Sequence, residues 1–247
     1  DAKVRGALAE AGISFLSWKD QVIFEHDEVM TAGGTPFSVF TPYKNAWLKK
    51  LEQAELIAFD TETTSVDAQQ AQIVGVSFAV KAGEAAYVPL THSYMGVPTQ
   101  LDRDTVLKAL KPLLEDPHKA KVGQHAKYDI NVLANCALDG DPSNGINVQG
   151  VAFDSMLESY VLDSTATRHN MDALALKYLD YSTIAVEDIA GKGAKQLTFD
   201  QIALELAGPY AAEDADITLR LHQVLWPQLQ AIPSLAKVLS EIEMPLV

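Results

Sequence analysis

The stretch Leu56-Ile57-Ala58-Phe59-Asp60-Thr61-Glu62 decides the fold of this chain. A short apolar run ends in two carboxylates, Asp60 and Glu62, that are two residues apart. On a strand such residues point to the same face, about 6.5–7 Å apart along the chain. Like charges held that close favour a cation between them, and oxygen ligands favour Mg²⁺ or Mn²⁺. Taken alone, the pair is more often a solvated strand end, but two acidic motifs downstream reverse that balance.

Composition restricts the class of protein. The chain has 247 residues, of which 48% are hydrophobic and 21% charged, as in a soluble globular protein. Its net charge of −14 argues against a protein that wraps a DNA duplex. The charge does not argue against an enzyme that binds a few nucleotides at a strand end, because bound metal ions can supply the local positive charge there.

The sequence also suggests where the protein is located. It has neither a signal peptide nor an apolar run of the roughly 18 residues that a membrane span needs. The single cysteine, Cys136, rules out an internal disulfide and fits a reducing compartment. We therefore expect a cytoplasmic protein without a membrane partner. Because the chain begins with Asp1 and not Met, we also expect a fragment of a longer protein.

Hydrophobic periodicity predicts the α/β class, with a mixed sheet flanked by helices. Three strands with short connections indicate an antiparallel meander, and the alternation of strands and helices that follows indicates parallel pairing. From residue 154 onward the chain is predicted to be mostly helical, with Pro209 starting a new helix and Pro227 ending or kinking it. The predicted strands are 37–40, 55–60, 73–80, 85–90, 120–123 and 148–152, and the predicted helices include 41–54, 103–115 and 125–137.

Two further motifs carry carboxylates. Asp129 is predicted in the first turns of the helix after strand 120–123, where parallel α/β units gather catalytic groups, although it could simply serve the helix dipole. Tyr210 and Asp214 are four residues apart and share one face of a predicted helix. Alone, such a pair usually lies on the protein surface and has no catalytic role.

Together the three motifs supply four carboxylates and one phenol. Four acids can hold two divalent ions about 4 Å apart, the spacing used for in-line displacement at phosphorus. Tyr210 is expected to stay protonated and to orient the attacking water. Without metal, the clustered acids would repel one another, so we expect some of them to be protonated.

The order of these motifs resembles the DEDD exonucleases of the tyrosine subtype, and in particular the proofreading domain of bacterial DNA polymerase I. The resemblance covers about residues 50–247. It implies a ribonuclease H-like fold and two-metal 3′→5′ hydrolysis of single-stranded or frayed DNA with release of nucleoside monophosphates. The stretches that carry it are Phe59-Asp60-Thr61-Glu62-Thr63, Val122-Gly123-Gln124-His125-Ala126-Lys127-Tyr128-Asp129, Phe153-Asp154-Ser155-Met156-Leu157-Glu158-Ser159-Tyr160, Ile189-Ala190-Gly191-Lys192-Gly193 and Tyr210-Ala211-Ala212-Glu213-Asp214-Ala215-Asp216.

The resemblance also implies roles for individual residues. The catalytic residues would be Asp60, Glu62, Asp129, Tyr210 and Asp214, the four acids binding two cations, Mg²⁺ or Mn²⁺. Six positions would bind substrate, namely Thr63, Val66, Gln124, His125, Arg168 and Lys192. Thr63 and Val66 match positions that touch the terminal nucleotide. His125 stands where the family often has Asn and is as plausible in a structural role, Arg168 could equally be a helix partner, and Lys192 could simply be solvated.

Residues 241–247 resemble the passage where a polymerase domain begins, and polymerase motifs are absent. We therefore expect degradation of DNA ends without extension, and a polymerase domain as partner in the parent protein. Two alternatives stay open. The chain could be a catalytically silent DNA-binding or scaffold domain, although all four acids are present, or it could be an RNA-trimming exonuclease of the same superfamily.

A second resemblance is carried by the first fifty residues, above all by Gly34-Thr35-Pro36-Phe37-Ser38-Val39-Phe40-Thr41-Pro42-Tyr43-Lys44-Asn45-Ala46-Trp47-Leu48. These residues resemble the end of the N-terminal domain of photolyases and cryptochromes. We expect a chimera joined near residues 48–51, with a natural extension as the rival interpretation. The predicted division is an appendage at 1–36, an exonuclease domain at 37–240 and the start of a missing polymerase domain at 241–247. No flavin is expected, because the helical domain that would hold one is missing.

Overall fold

The computed structural model describes residue 51 and residues 53–165 and 167–247. The strand predicted at 37–40, most of the helix predicted at 41–54 and the photolyase-like appendage lie outside these residues. Among the described residues, no helix combines the length and the apolar character that a membrane crossing requires.

Five strands form one mixed sheet in the order β3-β2-β1-β4-β5. The antiparallel meander and the parallel pairs β1–β4 and β4–β5 are confirmed. The first strand runs further than the expected 55–60, so its carboxylates lie within the sheet and not at its end. The strands are β1 (Leu56–Thr63), β2 (Ile73–Lys81), β3 (Glu84–Pro89), β4 (Ala120–Gly123) and β5 (Val151–Asp154).

The last strand begins three residues later than predicted, and Gly150 explains the difference. Its φ is +71°, and a Cβ there would lie 2.5 Å from the carbonyl oxygen of Lys119. Only glycine fits this left-handed position against the 116–119 loop, so the backbone cannot be extended until Val151.

Seven α-helices are described, and they flank the sheet on both faces. They are α1 (Arg103–Leu114), α2 (Ala126–Ala134), α3 (Ser155–Leu162), α4 (Met171–Leu179), α5 (Val186–Ala190), α6 (Leu204–Gln230) and α7 (Pro233–Val238). Asp154 helps to start two of them, because its carboxylate accepts hydrogen bonds from the backbone N–H groups of Ala126 and Met156, at 2.8 and 2.9 Å. Helix α2 is shorter than the predicted 125–137.

The predictions that a new helix starts at Pro209 and that Pro227 ends it were wrong. Helix α6 runs through both Pro209 and Pro227 without interruption over 27 residues. Proline removes one backbone hydrogen bond and normally kinks or ends a helix. Here buried residues on both sides of Pro209, Ala207 and Ala211, pack in one apolar cluster, and this packing offsets the lost hydrogen bond.

The two faces of the sheet pack against different helices. Ile57 and Phe59 of β1 join the main core, which also contains Leu107 of α1 and Val132 of α2. On the opposite face, Ala58 packs with residues of α6. Since alternate residues of a strand share a face, the side chains of Asp60 and Glu62 lie on the α6 side of the sheet.

Candidate active site

Strand β1 places two carboxylates on the face that α6 covers. Asp60 lies opposite Ser77 of β2, and Glu62 lies opposite Gly75. Glu62 is buried, with 8% of its surface exposed, and Asp60 is half-buried. The carboxylate pair is therefore held by the sheet and largely removed from solvent.

Helix α6 brings a third carboxylate to this pair. Asp60, Glu62 and Asp214 each offer an oxygen, and these oxygens lie within 4.8 Å of one another. The phenol of Tyr210, one turn earlier on the same helix, lies beside Asp214 and acts to lower the pKa of that carboxyl group. The i, i+4 spacing thus places the phenol beside the cluster, as the sequence predicted.

The fourth predicted carboxylate, Asp129, lies beside this group and not within it. Its Oδ1 accepts two hydrogen bonds from Thr61, one from the backbone N–H at 3.0 Å and one from the hydroxyl at 2.5 Å. Asp129 is buried near the start of α2. Thr61, the residue between the two strand carboxylates, therefore holds the carboxylate that comes from α2.

Burial and mutual repulsion make the cluster electrostatically unfavourable when it is fully ionised. The pKa values of Asp60, Glu62 and Asp129 are raised well above their usual range, first by burial and then by neighbouring carboxylates. Burial raises the pKa of Asp214 to about 8, with Glu213 and Asp172 contributing. The expectation that some of these acids are protonated without metal agrees with these shifts.

The donor set fits a divalent cation. Glu62 Oε1 is buried without a hydrogen-bond partner among the described residues, although an unpaired buried carboxylate oxygen is unfavourable. The other oxygens of the group belong to Asp60 and Asp214, so all potential ligands are hard oxygens of the kind that Mg²⁺ and Mn²⁺ prefer.

Comparison with known proteins identifies the family. A family model described as 3′-5′ exonuclease matches residues 43–230. DNA polymerase I of Pseudomonas aeruginosa is 70% identical over 245 residues, which cover 95% of this chain and 26% of the polymerase. The chain belongs to the 3′–5′ exonuclease family of DNA polymerase I. This exonuclease chain spans about a quarter of the length of that relative, and the resemblance predicted from the motifs is confirmed.

The N-terminal resemblance is also found. A DNA photolyase family model matches residues 1–63, overlapping the exonuclease match over residues 43–63. The two matches agree with the two resemblances predicted from the sequence. The origin of the exonuclease chain as a chimera stays a prediction.

Solved structures confirm the ribonuclease H-like fold. The POL domain of Pol1 from M. smegmatis, in complex with DNA primer-template and dNTP, is 21% identical with a TM-score of 0.56, covering 81% of this chain and 28% of that one. NrnC of Brucella melitensis bound to pGG is 18% identical with a TM-score of 0.52, covering 75% and 78%. Another structure of NrnC has bound Mg²⁺, with a TM-score of 0.50 and 22% identity, covering 78% of this chain and 86% of that one. At these identities the likeness shows the fold alone.

Two of the predicted substrate-binding residues of the exonuclease follow the carboxylate pair on the chain. The hydroxyl of Thr63 donates to the carbonyl of Ser65 at 3.0 Å and is hydrogen-bonded to the hydroxyl of Tyr128. Val66 is 97% exposed, although it is apolar. Thr63 is thus fixed by protein contacts, whereas Val66 is open to contact with a ligand.

The other four predicted substrate-binding residues come from three segments of the chain, two of which are joined by a hydrogen bond. Gln124, at the end of β4, donates from its side-chain amide to the carbonyl of His169 at 3.0 Å and accepts from the hydroxyl of Ser155. The remaining three are exposed, and they are His125 before α2, Arg168 before α4 and Lys192 after α5. Substrate binding by these four residues stays a prediction.

Sequence reasoning missed the role of Thr61. It lies between Asp60 and Glu62 on the chain, but its side chain points to the other face of β1 and meets Asp129, 68 residues away. The strand alternation was a usable signal for the direction of the Thr61 side chain. The partner was not predictable, since it depends on how α2 packs against β1.

Proposed function

We propose that this chain is a two-metal-ion 3′→5′ exonuclease. It hydrolyses the terminal phosphodiester of single-stranded or frayed DNA and releases nucleoside monophosphates, without polymerase activity of its own. One observation carries the proposal: carboxylates from distant parts of a chain of this family, Asp60, Glu62 and Asp214, come within 4.8 Å of one another.

The metal ligands would be the four carboxylates. Asp60, Glu62 and Asp214 would hold one divalent cation between them, and Asp129 would take part in holding a second. When bound, such cations supply Lewis acidity that activates water and stabilises the leaving oxygen. The unpaired Oε1 of Glu62 supports this assignment, because a cation would satisfy it.

The remaining roles belong to the protein's own groups. Burial and the nearby Asp214 carboxylate raise the pKa of the Tyr210 phenol, so this group stays protonated at neutral pH and is not a general base. It can donate to Asp214 and accept from a water, which would orient that water for attack. Thr61 fixes Asp129 through two hydrogen bonds, so that this carboxylate does not have to reorganise during the reaction.

The substrate and the setting of the enzyme belong to the same proposal. Val66 and Thr63 would contact the terminal nucleotide, and Gln124, His125, Arg168 and Lys192 would bind the strand near its 3′ end. Because the relative with 70% identity is a DNA polymerase I, the partner would be a polymerase domain and the location the cytoplasm.

The decisive experiment uses one oligonucleotide labelled at either its 5′ or its 3′ end. With Mg²⁺, the 5′-labelled strand should shorten stepwise, while the 3′-labelled strand should release labelled mononucleotide at once. EDTA should stop both reactions. A matching RNA strand tests the trimming alternative, which faster cleavage of RNA than of DNA would support.

Variants connect the activity to the cluster. Asp129→Asn should lower the rate by orders of magnitude and leave the unfolding transition nearly unchanged, because the amide oxygen can still accept both hydrogen bonds from Thr61 while the anionic metal ligand is lost. Activity close to wild type in this variant would refute the two-metal assignment. Oligonucleotide binding without any hydrolysis by the wild-type protein would instead support a silent binding domain.

A further inference from the structure

A hydrogen-bonded pair of aromatic side chains, Tyr87 and His92, lies beside the site and has no role in the function proposed above. Nδ1 of His92 lies 3.1 Å from the carbonyl oxygen of Ile202, and Nε2 lies 2.8 Å from the hydroxyl of Tyr87. A carbonyl only accepts, so Nδ1 carries the proton and Nε2 accepts from Tyr87. Both side chains are buried, at 5% and 4% exposure. The hydrogen bonds from the Tyr87 hydroxyl to His92 and from His92 to the Ile202 carbonyl therefore have defined directions.

The sheet register places Tyr87 close to the carboxylates. Tyr87 pairs with Ser77, and Ser77 pairs with Asp60, so the three side chains stand in one row on the α6 face. The ring of Tyr87 also extends over Gly75, where a Cβ would lie 2.2 Å from the phenol oxygen. Since Gly75 lies opposite Glu62, the ring occupies the space beside the Glu62 carboxylate.

Phe199 connects this pair to Tyr210. The ring centre of Phe199 lies 6.4 Å from that of Tyr87, 5.9 Å from that of His92 and 5.9 Å from that of Tyr210. These separations are those of favourable tilted and edge-to-face contacts. Tyr87, Phe199 and Tyr210 belong to one apolar cluster with the first turns of α6. The ring of Tyr210 is thus supported by a wall that the Tyr87–His92 hydrogen bond fixes.

We propose that Tyr87 and His92 are positioning residues for Tyr210. Through Phe199, the pair holds the Tyr210 ring at the orientation in which its hydroxyl meets both Asp214 and the attacking water. This inference rests on the proposed role of Tyr210 as the group that orients water. Neither Tyr87 nor His92 is among the proposed metal ligands.

The polarity of the pair supports a positioning role. A wall that served packing alone could be built from apolar side chains, which avoid the desolvation of buried polar groups. A fully satisfied buried network instead fixes one arrangement of its members. Tyr87 is kept protonated by burial and by the nearby Glu62 and Asp60 carboxylates, which raise its pKa, and burial lowers the pKa of His92. The hydrogen bond is therefore retained at neutral pH.

Kinetics of a double-mutant cycle test the proposal. Tyr87→Phe removes only the hydroxyl, and His92→Ala removes the acceptor. Each should lower kcat for a single-stranded oligonucleotide about fivefold, the equivalent of one ordinary hydrogen bond, with KM unchanged. In a Tyr210→Phe background the same changes should have almost no further effect, because the group they position is gone. Tyr178→Phe on α4 is the matched control and should leave kcat unchanged in both backgrounds.

A second measurement does not depend on activity. Protein labelled with ¹³C at the tyrosine ring carbons gives a Tyr210 signal that is assigned by its loss in Tyr210→Phe. This signal should shift or broaden in Tyr87→Phe and His92→Ala, while Mn²⁺ affinity measured by calorimetry should stay as in wild type. Additive losses of kcat, or an unchanged Tyr210 signal, would overturn the positioning role. If the wild-type protein does not hydrolyse the oligonucleotide, but the Tyr210 signal still shifts in Tyr87→Phe and His92→Ala, the proposed function would be refuted and the positioning of the ring would not.

Discussion

At the level of single residues, the candidate site is a set of buried and half-buried acids that repel one another. This repulsion makes stability dependent on pH in the absence of metal. Asp60, Glu62, Asp129 and Asp214 have pKa values raised in the folded state, that of Asp214 to about 8. In the unfolded chain they titrate near pH 4. Between these values the folded state binds more protons, so the free energy of unfolding falls as pH rises.

We therefore predict that the metal-free protein is more stable at pH 5 than at pH 8. Urea denaturation in EDTA at constant ionic strength measures this directly. Saturating Mg²⁺ should raise the stability most at the higher pH, because the ionised carboxylates then have a counter-charge. Equal stability in EDTA at both pH values would contradict the repulsion inferred from burial.

The unpaired oxygen of Glu62 leads to a second prediction. Glu62→Gln keeps the shape of the side chain and removes one charge from the cluster. We expect it to raise the stability of the metal-free protein at pH 8, by about 1–3 kcal/mol, and to lower hydrolysis by orders of magnitude. Denaturation in EDTA and the oligonucleotide assay measure the two effects. Glu205→Gln, at an exposed position of α6, is the control and should change neither.

Local spacing explains which site residues could be predicted from the sequence. Asp60 and Glu62 share a strand face, and Tyr210 and Asp214 share a helix face, so each pair followed from local geometry. The contact between Thr61 and Asp129 joins residues 68 positions apart. No local period specifies such a contact, because it arises only when α2 packs on the sheet.

At the level of elements, α6 carries two aspartates with different tasks. Asp214 faces the carboxylate cluster. Asp216, two residues on, accepts a hydrogen bond from the backbone N–H of Gly83 at 2.6 Å and pairs with Arg220 at 3.3 Å. Its carboxylate thus connects α6 to the β2–β3 turn. Residues two positions apart on a helix lie on different faces, so Asp216 does not share the face of Tyr210 and Asp214.

These two positions give a matched prediction. Asp214→Ala should nearly abolish hydrolysis with little loss of stability. Asp216→Ala should lower the free energy of unfolding by about 1–3 kcal/mol, because the N–H of Gly83 and Arg220 lose their partner, while hydrolysis stays within a few-fold of wild type. Denaturation curves and single-turnover rates on both variants check this. Equal effects of the two changes on the rate would contradict the assignment.

The element boundaries show why local rules were not sufficient. The prediction of a new helix at Pro209 used a correct rule about the proline ring. The rule was overridden because Ala207, Ala211 and Ala215 are all fully buried along one face of α6. Small residues at this spacing let the helix lie close to the sheet, and that packing is a property of the assembled fold and not of the local sequence.

At the level of the whole molecule, the sheet order β3-β2-β1-β4-β5 explains why the motifs converge. Strand β1 is central, with an antiparallel neighbour on one side and a parallel one on the other. The end of β1 therefore adjoins both α2, which follows β4 and packs on one face of the sheet, and α6, which crosses the opposite face. The mixture of antiparallel and parallel strand pairs was predictable from the lengths of the connections. The crossing of α6 over β1 was not predictable.

The division of the chain leads to the last prediction. The exonuclease family match begins at residue 43, and Leu51 is fully buried in the main core. Removal of residues 1–36 should therefore leave the rate, the metal requirement and the unfolding midpoint within error of the full chain. Removal of residues 1–53 should destabilise the protein strongly, since truncating a buried leucine to alanine alone costs about 2–5 kcal/mol. The test is denaturation and the labelled-oligonucleotide assay on both truncated chains, with Leu51→Ala in the full chain as the matched comparison. Loss of activity in the shorter deletion would show that the exonuclease needs the photolyase-like segment, and the proposed boundary at residue 37 would then be wrong.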